Sequence, residues 1–246
     1  MQPKILVTFA VLAAGTLPLF ASTVNFFGED VETSGDPTTA TPTNSNAART
    51  SFFSNLIGVG TEGFESFATG TTLPLTIMFM GAGSATLIDP TNSSAIFSGN
   101  DGSGRFPVSG SQFLETGAGS GFTLTFSSPI AAFGFFGTDV GDFGGALSLA
   151  LTDASGNMST LNVGNTLGSN ASTSGSVLYF GFYDLTDTYK SITFNNAGSG
   201  GVDVFGFDDF SIGSRAQVTP EPGTILLIAS GLLVLSLVRR FARITG

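Results

Sequence analysis

The chain has 246 residues, with 18 acidic against 8 basic side chains for a net charge of −10, 34 glycines and 25 phenylalanines, and no histidine, cysteine or tryptophan. The missing residue types exclude a Ser-His-Asp triad, a Cys-His dyad, a conventional zinc site and disulfides, which leaves oxygen ligands and carboxylate pairs as the available chemistry. Over residues 23–219 four basic residues face 17 acidic ones, and that net −13 repels phosphates and excludes nucleic acid as a partner.

Residues 1–22 read as a secretory signal peptide: Lys4, an uncharged stretch over 5–22, Pro18 near its end, then the small Ala21 and Ser22. Residues 23–61 follow as a linker or long loop, because Glu29, Asp30, Glu32 and Asp36 lead into a Thr-, Pro- and Asn-rich tract without apolar periodicity. Phe52, Phe53 and Leu56 are spaced to allow a short helix over 47–56.

From residue 62 the texture changes to short strand-like runs divided by Gly, Ser, Asn and Asp, which defines an ectodomain over 62–214. Strands are expected at 63–67, 75–80, 85–88, 95–97, 112–114, 122–126, 130–136, 146–152, 160–163, 177–182, 191–194 and 202–212. Phe122, Leu124 and Phe126 alternate with Thr123 and Thr125, the pattern of a strand with one buried face. Many such runs without a long soluble helix make the body all-β, an antiparallel β-sandwich of jelly-roll type. Phe-Gly-Phe occurs at 133–135, 180–182 and 205–207. In a strand both rings point to one face, and the glycine leaves room on the other for a packed ring or a neighbouring backbone.

Three acidic clusters could carry chemistry. Glu62 and Glu65 lie near the first expected strand, Asp139 and Asp142 in a Gly-rich loop, and Asp208 and Asp209 in the last strand. First and last strands of a sandwich commonly lie side by side, so Glu65, Asp208 and Asp209 form a candidate calcium set; calcium takes six to eight oxygens at about 2.3–2.6 Å. Adjacent Asp208 and Asp209 point to opposite faces unless a bulge intervenes. The plainer reading of each cluster is Asp or Glu bonded to backbone N–H groups in turns. Asp139 and Asp142, three positions apart on a Gly-rich loop, are poorly built to hold the roughly 5–9.5 Å separation of a glycosidase pair, so no catalytic residue is expected.

The chain closes with a short linker over 215–219, then Pro220-Glu221-Pro222, an apolar stretch over 223–238 and an arginine cluster, Arg239, Arg240 and Arg243. As a helix, 222–238 rises about 26 Å, a little under the roughly 30 Å hydrocarbon core, and it is apolar on all sides. The arginines should stay on the cytoplasmic side, leaving the body outside. These parts, within residues 220–246, resemble the PEP-CTERM sorting signal. The blocks 64–67, 133–145 and 205–212 look like the β-rich ectodomains found in front of it, and 207–212 resembles the closing strand of jelly-roll sugar-binding modules.

That resemblance implies a membrane-embedded exosortase as partner, acting near Pro220-Glu221-Pro222, lipid around the single C-terminal transmembrane helix, and a host that makes exopolysaccharide. The expected function is an exported surface or extracellular-matrix protein, non-catalytic, with a structural or interaction role linked to exopolysaccharide. The rival is a calcium-dependent carbohydrate-binding module, against which the absence of Trp counts.

Overall fold

The computed structural model describes residues 23–32, 39–100, 102–117, 121–141, 146–164, 175–197, 204–219, 230–232 and 235. Strands β1 (Val24–Asp30), β2 (Gly60–Glu62), β5 (Ala95–Ser98), β6 (Gln112–Gly117), β8 (Ala132–Thr138), β11 (Val177–Tyr183) and β13 (Val204–Gly213) form one sheet in the order β1-β11-β8-β13-β6-β5, with β2 also on β13. Strands β3 (Leu75–Phe79), β4 (Gly83–Ile88), β7 (Thr123–Ile130), β9 (Ala146–Asp153), β10 (Met158–Asn162) and β12 (Tyr189–Ala197) form the second, in the order β10-β9-β12-β7-β4-β3. Every pairing between strands is antiparallel.

Phenylalanine fills the space between the sheets. Phe133 and Phe135 of β8, Phe180 and Phe182 of β11, and Phe205 and Phe207 of β13 meet Leu124, Leu149, Ile192 and Phe194 from the second sheet in one buried cluster. Phe194 lies edge-on to Phe135 at 5.1 Å and to Phe207 at 5.2 Å between ring centres. Each such side chain contributes about 1.5–3 kcal/mol by leaving water. With no disulfide to limit the unfolded chain, this cluster is the main source of stability.

A second, smaller core lies on the outer face of the first sheet, where helix α1 (Thr43–Phe53) packs over β1, β11 and β8. Gly134 and Gly181 stand directly opposite each other in β8 and β11. The ring of Phe52 occupies the floor they leave: a Cβ on Gly181 would lie 2.9 Å from it, and one on Gly134 would lie 3.1 Å from it. Two of the Phe-Gly-Phe segments therefore serve both cores, rings inward and glycines outward. In the third, Gly206 leaves its space to Phe113 and Thr138.

By sequence a linker or loop, residues 23–61 hold β1, α1 and β2 in the structure. Asp30, at the end of β1, accepts bonds from the backbone N–H groups of Asn44 (2.8 Å) and Ser45 (2.9 Å) and from the Ser45 hydroxyl (2.7 Å). It thereby satisfies donors that the first turn of a helix otherwise leaves open, a role Pro42 at the N-cap cannot fill. Residues 63–67, expected as a strand, turn away after β2 with Phe64 in the left-handed region (φ 64°) and its ring buried against Phe210.

Candidate functional site

The short linker expected over 215–219 is tied down. Arg215–Gln217 forms a 3-10 turn closed by a capping box with Ser214, and Val218 bridges antiparallel to Leu56. The Gln217 carbonyl accepts from the Ile57 N–H at 2.8 Å, the Thr219 N–H donates to the Asn55 carbonyl at 2.8 Å, and the Gln217 side chain donates to the Gly58 carbonyl. The Val218 side chain is buried in the second core beside Phe52 and Tyr183. An apolar residue on a bridge explains the fixation: its side chain leaves water while its backbone bonds are met by the turn after α1.

Pro220, Glu221, Pro222, Arg239, Arg240 and Arg243 lie outside the described residues, as does residue range 1–22. Of the apolar stretch 223–238 only Ser230, Gly231, Leu232 and Leu235 are described, all helical, with Leu232 and Leu235 exposed. Among the described residues no helix is long and apolar enough to cross a membrane.

The candidate calcium residues gather around one loop, 105–112, as acceptors. Glu65 takes the backbone N–H groups of Ser111 (2.8 Å) and Gln112 (2.7 Å) and the Ser111 hydroxyl (3.0 Å). Asp208 takes the N–H groups of Val108 (2.8 Å), Ser109 (2.9 Å) and Asp209 (2.7 Å). Asp209 accepts from the Ser109 hydroxyl at 2.8 Å and lies 3.7 Å from the Arg49 guanidinium. The register of β13 on β8 shifts between Asp208 and Ser211, with Asp209 in the left-handed region (φ 51°). That bulge brings both adjacent carboxylates to Ser109. Among the described residues, no three acidic side chains are grouped as a metal site.

Electrostatics separates these acids. Burial pushes the Asp208 carboxyl up to about 8, and the Asp209 charge pushes the same way, against its N–H donors. Glu65 goes down: its slight desolvation is outweighed by the Ser111 and Gln112 N–H groups and the Ser111 hydroxyl. Asp89, which sequence reasoning passed over, is the other organising carboxylate. Burial raises it, but Ser94, Thr91 and Ser93 together hold it below the usual carboxylate range while it shapes the turn from β4 to β5.

Asp139 forms an ion pair with Arg105 at 3.2 Å, and Arg105 also pairs with Glu115 at 2.8 Å. Asp142 lies outside the described residues. Glu62 accepts from the Phe64 N–H at 2.7 Å. Strand alternation alone foreshadows a further open surface, the outer face of the second sheet. One row across it reads Thr76, Thr86, Thr125, Ser191 and Thr152, strand by strand. A second row reads Thr123, Thr193, Ala150 and Thr160, in which the Thr123 and Thr193 hydroxyls are 2.8 Å apart. Strands about 4.8 Å apart make this an uncharged, hydroxyl-bearing plane about 19 Å across.

Fold and site together define a two-sheet antiparallel β-sandwich that holds residues 214–219 at a fixed point on its surface. The chain carries the PEP-CTERM protein-sorting motif, whose family model matches residues 218–240, and that signal marks an exported, membrane-anchored or surface protein processed by exosortase. The match begins on Val218, the residue that ends the second core.

No curated protein matches the chain. Among solved structures it is similar to the K2 cleaved adhesin domain of Lys-gingipain at 17% identity, over 63% of this chain and 97% of that one, with a TM-score of 0.39. It is also similar to the CBM22-1 xylan-binding domain of Paenibacillus barcinonensis Xyn10C at 13% identity, over 63% and 99%, with a TM-score of 0.34. A third is the C-terminal family 22 carbohydrate-binding module of Clostridium thermocellum Xyn10B, at 16% identity over 68% and 97%, with a TM-score of 0.33.

Proposed function

We propose that this chain is a non-catalytic surface or matrix protein. Its Phe-rich sandwich is displayed outside the cell, and its C-terminal segment is a membrane helix used for sorting and cut by exosortase near Pro220-Glu221-Pro222. Its working role is structural or one of interaction, linked to the host's exopolysaccharide. The observation that carries this reading is the sorting motif over 218–240, which begins on the last core residue of the sandwich. Intact mass and fractionation in a host with and without its exosortase test it. The expected product lacks 1–22 and ends near residue 220 only when exosortase is present; an unprocessed chain in the cytosol overturns the proposal.

A second reading, a carbohydrate-binding module, is favoured by the neutral hydroxyl plane of the second sheet on an otherwise acidic body. Thr and Ser groups there match the hydroxyls of a glycan, in place of the aromatic platforms the chain lacks. A calcium-dependent form would use Glu65, Asp208 and Asp209 and would displace the N–H and O–H bonds they now accept. Millimolar calcium should then raise the Tm beyond an ionic-strength control, and no shift retires the calcium. Binding to a glycan array that is unchanged by Thr125→Lys with Thr193→Lys retires the plane.

A further inference from the structure

The end of the sandwich where the chain leaves is unlike the rest of its surface. That end collects the C-termini of β3, β7, β9, β11 and β13, the N-termini of β4, β8, β10 and β12, and the turns 54–59 and 80–82. The four most exposed large apolar side chains of the described sandwich all lie there: Met80 (89%), Met158 (71%), Ile57 (65%) and Met78 (64%). Ile57 belongs to the turn that holds Gln217, and the 80–82 turn packs beside Gly58 and Gly60. Leu185, also exposed, offers its carbonyl to the Arg215 guanidinium next to the exit.

Charge divides the same way. The exit end carries the exposed Arg215 and Lys190, two of the four basic residues of the body, against Asp153, Asp187 and the buried Asp184. At the opposite end lie Asp30 and Glu32 at the close of β1, Asp89 after β4 and Asp139 after β8, with Arg105 paired to Asp139.

Distance decides what this face meets. Among the described residues the Thr219 N–H makes the last bond to the sandwich, and four residue steps later, at Gly223, the apolar stretch begins. Four steps of fully extended chain cover at most about 14 Å. The headgroup layer outside the hydrocarbon core is itself about 5–8 Å thick, so the clearance left under the sandwich is less than the roughly 10 Å width of one helix. Long, flexible methionine side chains at that height reach the interface.

We infer that the exit end of the sandwich rests on the lipid surface. Met80, Met78, Ile57 and Met158 sit among the headgroups, Arg215 and Lys190 face lipid phosphates, and the acidic end points away. This rests on the membrane helix proposed above, and the test separates the two. Because the chain has no cysteine, Met80→Cys, Ile57→Cys and, at the far end of β10, Asn162→Cys each give a single labelling site in the full-length protein. The fluorophore-labelled proteins are reconstituted into phosphatidylethanolamine–phosphatidylglycerol vesicles with a headgroup nitroxide quencher. Labels at 80 and 57 should be quenched several-fold more than the label at 162. Equal quenching in protein that floats with the vesicles overturns the resting face and leaves the helix standing; protein that does not float overturns both.

Discussion

Phe52 shows how single residues hold the second core. It lies on the Gly134–Gly181 floor, edge-on to Phe26 at 5.7 Å and to Phe53 at 5.5 Å between ring centres. Phe52→Ala should cost about 3–5 kcal/mol, as other buried Phe truncations do. Gly181→Val should cost about 1–3 kcal/mol by overpacking, and combining it with Phe52→Ala should cost less than the sum, measured by urea unfolding of all three variants. Asp208 sets a pH dependence. Its folded value of about 8 lies above the ordinary 3.8, so the fold binds an extra proton between those limits. The stabilisation is complete below about pH 4 and is lost as pH rises through 8. Tm should therefore fall from pH 5 to 8, and Asp208→Asn should flatten that slope whatever it does to absolute stability. A slope unchanged in the variant would assign the dependence to other groups.

Elements explain where sequence patterns succeed. Strands such as β7 and β9 were legible because each has one face in the Phe core and one in water, and that asymmetry prints a period of two on the chain. Strand β1 was not legible. It is an edge strand whose rings Phe26 and Phe27 fall on opposite faces and whose acids Glu29 and Asp30 suit a loop equally well; its pairing to β11 supplies what the pattern lacks. Helix α1 starts at Thr43, before the apolar spacing begins, because Asp30 bonds its first turn from another strand. Asp30→Ala should lower stability by about 0.5–2 kcal/mol, and circular dichroism should show the loss starting with the helix. An unchanged Tm would mean Asn44 and Ser45 find water as good a partner.

At the scale of the molecule, residues 214–219 join the sandwich to the sorting segment without slack. The N–H groups of Ile57 and Thr219 are bonded across that junction. Both should exchange with deuterium slowly, and Val218→Asp, by placing a charge in the second core, should speed both at least tenfold while those of β8 and β11 keep their protection. Equal effects on β8 would show that the junction is part of one cooperative unit.

The sequence alone determined the destination and the fold class. Chemical composition and alternation are properties of neighbours along the chain, so the all-β body, the absence of triad chemistry and the Pro-Glu-Pro segment before an apolar stretch and arginines could all be read directly. Tertiary structure decided which acids act on what. Asp30, Glu65 and Asp208 find backbone N–H partners far along the chain, and Asp89 finds them within its own turn. The place where the chain leaves, and the methionines around it, follow from which strand ends share one side of the sandwich. Those distances are set by folding, and no local period records them.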